Sequence, residues 1–369
     1  MKSKEIAAIR RRLRAEKNNI RSLYGCYVNE KGEIISQLEE AVSLLALDEA
    51  EKYFSLLRKT LSGRLGKTVL PIEFSADYVR SDENFRLLMD LRNSHLEDPA
   101  LRSALFEKII ASHPVEEGNY VILLASDSYD IPPKDEELES GGVFRYLLCC
   151  VCPVKETKAA LSYTAKDHRF SDTGSQSVLA APQLGFLWPA LEDGGANLYS
   201  AVTCAAGSCY EDFIKGVFDC GRPSLPEEQK QLFGEALRCA MGKTPSFDDA
   251  LAVNEQLNNR IAAEQEENGK EPVSLTPEEL CDVIERRVEM PEAEAFCETC
   301  REILGENAAF NLENLCSTKT STIELPGVKI TFTAEARNLI RSEVLDGRKV
   351  LLVEVHDGLR FDGSDVVIR

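Results

Sequence analysis

Apolar positions follow two different spacings along this chain. Near its start, Ile6 and Ile9 recur at helical spacing among arginines, which predicts an amphipathic helix over 2–16. In the middle, residues 120–125 and 144–154 are almost continuously apolar and rich in β-branched and aromatic side chains, as in strands covered on both faces. The pattern predicts a β-sheet core with helices packed against it.

Turn signals and weaker apolar patterns predict the other elements of the first 222 residues. Asn29–Gly32 and Glu192–Gly195 are rich in turn-forming residues, and each is expected to close a hairpin. The remaining helices are predicted over 47–61, 84–91 and 99–112, and the remaining strands over 20–28, 33–36, 69–74, 160–164, 186–191 and 197–204.

The chain becomes helical and acidic after residue 222. Pro226 and Pro277 lie at first-turn positions, and Thr276 stands three residues before Glu279, the spacing of a capping box. Residues 223–305 hold 19 acidic and 8 basic residues, a net charge of −11. We predict an acidic helical region whose charges form a solvated face.

The last segment returns to strands. Residues 321–325 and 328–333 flank Pro326-Gly327, which predicts a hairpin, and a helix over 334–344 and a strand over 349–356 are predicted to follow. The predicted fold class is α+β, with a mixed β-sheet core and flanking helices. The predicted domains are an N-terminal and central α+β region (1–222), the acidic helical region (223–305) and a small C-terminal α/β module (306–369).

Composition narrows the class of protein. The apolar runs are far shorter than the roughly 18–20 residues needed to span a bilayer. We expect no signal peptide at the start of the chain and therefore a cytoplasmic protein that does not enter the membrane. Its 12 cysteines are expected to be reduced thiols in that compartment.

The charge is unevenly distributed. A net charge of −19 argues against general polyanion binding, yet residues 1–70 carry +5 and the remainder −24. Two kinds of partner follow from this asymmetry: nucleic acid at the N-terminal basic face, or a protein partner at the acidic helices. Nothing in the sequence indicates the oligomeric state.

A loop rich in glycines and cations follows the helix predicted over 47–61. Glycines let backbone N–H groups approach an anion, while arginine and lysine supply positive charge. The alternative is a solvated helix end whose cations complement the helix dipole. A nucleotide-hydrolysing P-loop is not expected, because its strand–loop–helix order is reversed here. The candidate anion-binding residues are Arg58, Lys59, Ser62, Gly63, Arg64 and Lys67.

Two carboxylates form a second candidate site. Asp127 and Asp130 follow directly after the apolar run 120–125. Carboxylates at the end of a strand are groups from which a Mg²⁺ site is built. The alternative is a turn, where aspartate is favoured for its backbone hydrogen bonds.

The spacing of Cys297 and Cys300 is that of a redox or zinc pair. These cysteines are expected in the middle of a helix, whereas a redox pair opens one. A zinc site needs about four ligands, and although Cys281 and Cys316 are available, their spacing does not indicate a set. We therefore expect structural thiols, and neither a metal nor a cofactor.

Several segments together resemble an uncharacterised family of Firmicutes that is catalogued only as a domain of unknown function. The resemblance covers most of the chain and implies no activity. The segments that carry it are Gly25–Val28, Arg58–Gly63, Tyr129–Pro132, Cys152–Val154, Leu161–Tyr163 and Gly185–Ala190.

The order of elements also resembles that of the bacterial nucleoid-associated proteins of about 37 kDa. The similar segments are the predicted helix and strands over 105–110, 120–125 and 146–154, then the acidic helices and the terminal segment 328–368. This resemblance implies nucleoid association. The expected function is that of a non-enzymatic interaction protein, and the alternative is an enzyme or sensor that binds a small phosphorylated ligand through the 58–67 loop.

Overall fold

The chain folds into two compact units. The computed structural model describes residues 1–131, 142–164, 167–172, 174–269, 271–304, 309–317, 320–355 and 358–368. The first unit is Met1–Pro223 and the second is Ser224–Arg369. The predicted boundary at residue 305 falls on residues outside these ranges, so the three-part division stays a prediction.

A largely antiparallel sheet forms the centre of the first unit. The strands are β1 (Ser22–Val28), β2 (Ile34–Ala41), β3 (Val69–Glu73), β4 (Tyr120–Asp130), β5 (Val143–Thr157), β6 (Leu161–Thr164), β7 (Arg169–Asp172), β8 (Gln176–Leu179), β9 (Leu184–Trp188), β10 (Ala190–Glu192), β11 (Gly195–Asn197) and β12 (Ser200–Ala205). Within the described ranges the sheet order is β2–β1–β4–β5–β9–β12–β3, and β8 pairs with the C-terminal end of β5. The pairs β6–β7 and β10–β11 are separate hairpins.

Helices cover both faces of this sheet, as the continuous apolar runs predicted. They are α1 (Ser3–Arg12), α2 (Leu47–Thr60), α3 (Ala76–Ser81), α4 (Glu83–Asn93), α5 (Pro99–Ala111) and α6 (Tyr210–Phe218), with a 3₁₀ turn at Val42–Leu44. On one face, Ile9 of α1 and Phe54 of α2 join the core under β4 and β5. On the other, Phe85 of α4 meets the ring of Trp188 with centroids 5.6 Å apart. The α+β class is confirmed.

The second unit begins with a group of helices. They are α7 (Pro226–Met241), α8 (Phe247–Asn268), α9 (Pro277–Ile284), α10 (Ala293–Leu304) and α11 (Leu312–Leu315), with a short pair β13 (Ser274–Leu275) and β14 (Phe310–Asn311). The predicted capping box at α9 is confirmed, since Thr276 N–H donates to Glu279 Oε2 at 2.9 Å and Glu279 N–H donates to Thr276 Oγ1 at 3.3 Å. Phe310 and Leu312 pack in the same core as α7 to α10.

Hairpins follow these helices. They are β15 (Thr320–Leu325) with β16 (Val328–Thr333), β17 (Ile340–Leu345) with β18 (Arg348–Val353), and β19 (Arg360–Phe361) with β20 (Ser364–Asp365). The hairpin predicted at Pro326-Gly327 is confirmed. The strand predicted over 349–356 corresponds to β18, and residue 356 lies outside the described ranges.

The helix predicted over 334–344 is wrong. A 3₁₀ turn occupies Ala334–Leu339, and β17 begins at the next residue. The cause is a two-residue turn in which Asp346 and Gly347 both have positive φ, 50° and 75°. Such a turn matches the twist of paired strands, so pairing with β18 overrides the local helix propensity. The dipeptide Asp346-Gly347 is the sequence feature that predicts this hairpin turn.

Candidate functional site

The predicted anion-binding loop is a tight turn that joins α2 to β3. Lys67 and Thr68 donate their backbone N–H groups to the carbonyl of Arg64, at 3.0 and 3.1 Å. A Cβ on Gly63 would lie only 2.1 Å from Thr68 Oγ1, so the packing of the turn itself requires glycine there. The helix-to-strand order that argued against a P-loop is confirmed. Anion binding by this loop stays a prediction.

The remaining residues of this candidate site have separate surroundings. Arg58 pairs with Glu51 at 2.7 Å and donates to the carbonyl of Leu13 at 2.6 Å, so it anchors the segment after α1 to α2. Ser62 Oγ donates to the carbonyl of Lys59 at 2.8 Å. The side chain of Lys59 is exposed and lines a groove on the outer side of α2.

Asp127 and Asp130 lie within a strand and not after one. Their strand β4 continues to Asp130, because β5 pairs with it over the whole length, and Asp127 lies opposite Tyr146. Residues three apart in a strand point to opposite faces. Asp127 is accordingly buried, whereas Asp130 is exposed. The structure does not bring the two carboxylates together, and no group of metal ligands is found in the ranges that it describes.

Three donors converge on the buried Asp127 carboxylate. Tyr146 Oη donates to Oδ2 at 2.8 Å, and the backbone N–H groups of Asn19 and Ser128 donate to Oδ1 at 2.9 and 2.8 Å. Tyr146 is completely buried. Asp127 therefore joins the segment that follows α1 to the centre of the sheet.

Burial dominates the electrostatics of this carboxyl group. It raises the pKa of Asp127, and this effect outweighs the hydrogen bonds and the charge of Arg12, which lower it. Arg12 also donates to the carbonyl of Ser128 at 3.1 Å and lies 4.8 Å above the ring of Tyr129. One arginine of the predicted basic face is thus committed to internal contacts.

A polar cavity of about 310 Å³ lies beside Asp127. Its charged groups already have partners: Glu97 pairs with Arg21 at 3.5 Å, and Glu39 pairs with Arg102 at 3.4 Å. The full lining is Asn19, Arg21, Ser22, Tyr24, Glu39, His95, Glu97, Ser126, Asp127 and Ser128. The carboxylate of Asp127 thus combines two roles, as a structural clamp and as part of a cavity wall.

The groove on α2 is larger and more apolar than this cavity. It encloses about 630 Å³ between α2 and β8 and is lined by Ala46, Asp48, Glu49, Lys52, Tyr53, Ser55, Leu56, Lys59 and Leu179. Tyr53 and Leu56 rest against the core, whereas Leu179 is 36% exposed. Sequence reasoning missed this groove because β8 lies more than 100 positions from α2. The sequence of α2 does contain an indication of the groove: Asp48, Lys52, Ser55 and Lys59 are three or four residues apart and therefore share one face of the helix.

The cysteines are free thiols in the structure. Cys297 and Cys300 lie within α10, as predicted, and Cys300 is buried. The short contact of Cys297 is with Cys281 of α9, at 3.9 Å between the two sulfurs. Cys297 therefore contacts a thiol on a second helix, Cys281, which the spacing of Cys297 and Cys300 did not indicate.

The fold is that of an α+β protein built on one large, mainly antiparallel sheet, with a helical second unit. Residues 1–364 match the family described as a domain of unknown function (DUF4317), and the chain belongs to this family. A search of curated proteins found no match. The resemblance to nucleoid-associated proteins has no support from these comparisons. Within the described ranges, none of the helices is both long and apolar enough to cross a membrane.

Proposed function

We propose that this is a non-enzymatic interaction protein that holds a segment of a partner protein in the groove between α2 and β8. The observation that carries the proposal is an open groove of about 630 Å³ with apolar side chains at its base and charges of both signs along its wall. Binding sites for other molecules are commonly concave and mostly apolar, with a few placed polar groups.

The dimensions suit a short polypeptide segment. The lining residues of α2 run from Asp48 to Lys59, which is about 16 Å at 1.5 Å per helical residue. An extended chain advances about 3.3 Å per residue, so roughly five residues of a partner fit along the wall. Further apolar side chains lie next to the groove in the chain, with Leu47 57% and Val178 41% exposed.

The charges define the chemistry of the partner segment. Asp48 and Glu49 stand at the N-terminal end of α2, and Lys52 and Lys59 follow toward its C-terminal end. The complementary segment carries a basic side chain at the first end, acidic side chains opposite the lysines, and apolar side chains that face Leu179. Complementary charges of this kind supply specificity and speed association.

Nucleic-acid binding at the N-terminal basic face is the weaker proposal. Arg12 and Arg58 are already engaged with protein groups. The cavity of about 420 Å³ near this face has as many acidic as basic lining residues, with Arg14, Lys17 and Arg58 against Glu16, Asp48 and Glu51. Phosphates would meet little net positive charge there.

The test compares the wild type with variants that alter the groove surface. One variant carries Lys52→Glu and Lys59→Glu, and a second carries Leu179→Asp. The matched control carries Lys31→Glu and Lys215→Glu, which make the same change of charge at exposed sites on other elements of the first unit. Each tagged protein is used to capture partners from its native cytosol with and without nuclease, and each captured protein is then purified and its affinity measured directly.

The expected result is a nuclease-resistant protein partner whose affinity falls about tenfold or more in both groove variants and is unchanged in the control. Equal affinity for all three variants would place the interface elsewhere. Capture of nucleic acid alone, with a steep dependence on salt, would replace the proposal by binding at the basic face. Saturation by a small phosphorylated molecule would favour the enzyme or sensor alternative.

A further inference from the structure

Two thiols on neighbouring helices of the second unit form a pair. Cys281 lies in α9 and Cys297 in α10, and the two helices pack against each other. Their sulfur atoms are 3.9 Å apart. Cys281 is 6% exposed and Cys297 is half-buried, whereas Cys300, one turn further along α10, is fully buried.

We propose that Cys281 and Cys297 are a modification site that a hydroperoxide converts to a reversible disulfide linking α9 to α10. The inference is independent of the groove between α2 and β8, because it concerns other residues in the other unit. Closure to a disulfide brings the two sulfurs from 3.9 Å to about 2.05 Å.

The reaction takes place in two steps. The thiolate of Cys297, the more accessible sulfur, attacks one oxygen of the hydroperoxide; the O–O bond breaks, leaving a sulfenic acid on Cys297 and releasing water from hydrogen peroxide. The sulfur of Cys281 then attacks the sulfur of Cys297, the S–S bond forms, the S–O bond breaks and a second water leaves. Two thiols are oxidised, one peroxide is reduced, and both thiol protons end in water.

The surroundings make this a slow site. Burial raises the pKa of Cys297 by more than the hydrogen bond with Cys281 lowers it, and Glu278 adds to the increase, so little thiolate is present near neutral pH. Cys281 is buried more deeply, and its pKa is raised as well. The pair therefore responds to sustained peroxide, with Cys281 acting as the thiol that resolves an oxidised Cys297.

The pairing differs from the one that the motif implies. Cys297 and Cys300 are three residues apart in one helix, whereas the sulfur in contact with Cys297 belongs to the other helix. The proposed bond encloses roughly 15 residues between α9 and α10, and closing such a loop restricts the unfolded chain. The oxidised protein is accordingly expected to melt at a higher temperature than the reduced one.

The experiment treats the full-length protein with hydrogen peroxide, blocks the remaining thiols and maps disulfides by mass spectrometry without reduction. The expected product is a Cys281–Cys297 cross-link that disappears on treatment with a thiol reductant. In Cys281→Ser, dimedone should label Cys297 as trapped sulfenic acid, and the label should be several-fold lower in the wild type. Cys239→Ser is the matched control, because Cys239 is exposed on α7, and the cross-link should form in it unchanged.

Three outcomes would overturn the proposal. The first is a Cys297–Cys300 bond in place of the Cys281–Cys297 bond. The second is a folded protein in which peroxide oxidises Cys239 and leaves the pair reduced. The third is a cross-link that forms only in denaturant. The dimedone comparison requires a folded Cys281→Ser variant, which circular dichroism verifies, while the mapping of the wild type requires no variant.

Discussion

Removing the Asp127 carboxylate should destabilise the first unit more than removing any one of its hydrogen-bond donors. In Asp127→Ala, the hydroxyl of Tyr146 and the backbone N–H groups of Asn19 and Ser128 lose their acceptor together. In Tyr146→Phe the carboxylate keeps both backbone donors. In Asp127→Asn an oxygen remains for the backbone donors, and Tyr146 Oη can accept from the new amide.

The expected losses of free energy of unfolding follow from the burial of Asp127 and of the groups that donate to it. A buried donor left without an acceptor costs about 1–3 kcal/mol, and the backbone donors here are only part-buried, so Asp127→Ala should lower the free energy of unfolding by about 3–5 kcal/mol. Tyr146→Phe removes one hydrogen bond to a charged acceptor and should cost about 1.5–3 kcal/mol. Asp127→Asn should cost about 1 kcal/mol, because losing the attraction to Arg12 is offset by burying a neutral group.

The single tryptophan provides the assay. Trp188 is fully buried in β9, so its fluorescence reports the unfolding of the first unit alone. Urea titration of the wild type and the three variants gives the free energies. A loss of 3–5 kcal/mol corresponds to a fall in melting temperature of about 6–20 °C for a unit of this size.

The order of the variants in free energy of unfolding tests whether the hydrogen bonds to Asp127 stabilise the first unit. If Asp127→Ala lies within about 0.5 kcal/mol of the wild type, the three hydrogen bonds contribute nothing net, and the clamp is not a stabilising feature. If Asp127→Asn is as harmful as Asp127→Ala, the charge of the carboxylate dominates and the hydrogen-bond reasoning fails. A double-mutant cycle between Asp127→Ala and Tyr146→Phe measures their coupling, expected at about 1.5–3 kcal/mol.

Because burial raises the pKa of Asp127 in the folded state, the extra stability of its protonated form is fully present below the ordinary value of 3.8 and is lost as pH rises through the folded pKa. In urea titrations, the advantage of the wild type over Asp127→Asn should therefore shrink from acidic pH to the about 1 kcal/mol expected at neutral pH. Gly63→Ala should cost about 1–3 kcal/mol by the same fluorescence assay, because its methyl group would overlap Thr68 Oγ1, whereas Gly221→Ala, which meets open space in the same unit, should cost nothing. Lys67→Ala should leave any nucleotide hydrolysis unchanged, and an activity that disappears in this variant would restore the P-loop interpretation. Elemental analysis should find no stoichiometric zinc in the purified protein, and one zinc per chain would contradict the expectation of metal-free thiols.

The parts of the fold that are encoded locally could be predicted from the sequence. The continuous apolar runs predicted β4 and β5, because strands covered on both faces need apolar side chains at every position. Thr276 and Glu279 predicted the start of α9, because a capping box satisfies backbone donors within a few residues. The packing of the turn requires glycine at position 63, which no spacing reveals, and anion binding by the 58–67 loop stays a prediction.

The chemistry of the candidate sites depended on contacts between residues far apart in the chain. The length of β4 was underestimated because its last residues are polar and are held in the strand by pairing with β5. The same pairing buries Asp127 beside Tyr146 and leaves Asp130 in solvent, which separates two carboxylates that are neighbours in sequence.

The sequence by itself determined the fold class, the family and the positions of most helices and strands, because apolar periodicity, caps and turns act over a few residues. Only the tertiary structure decided which side of α2 forms a groove with Leu179, and which thiol lies against Cys297. These juxtapositions arise when separate elements pack together to bury their apolar faces. The energy that selects them is shared among many side chains, so no local pattern in the sequence records them.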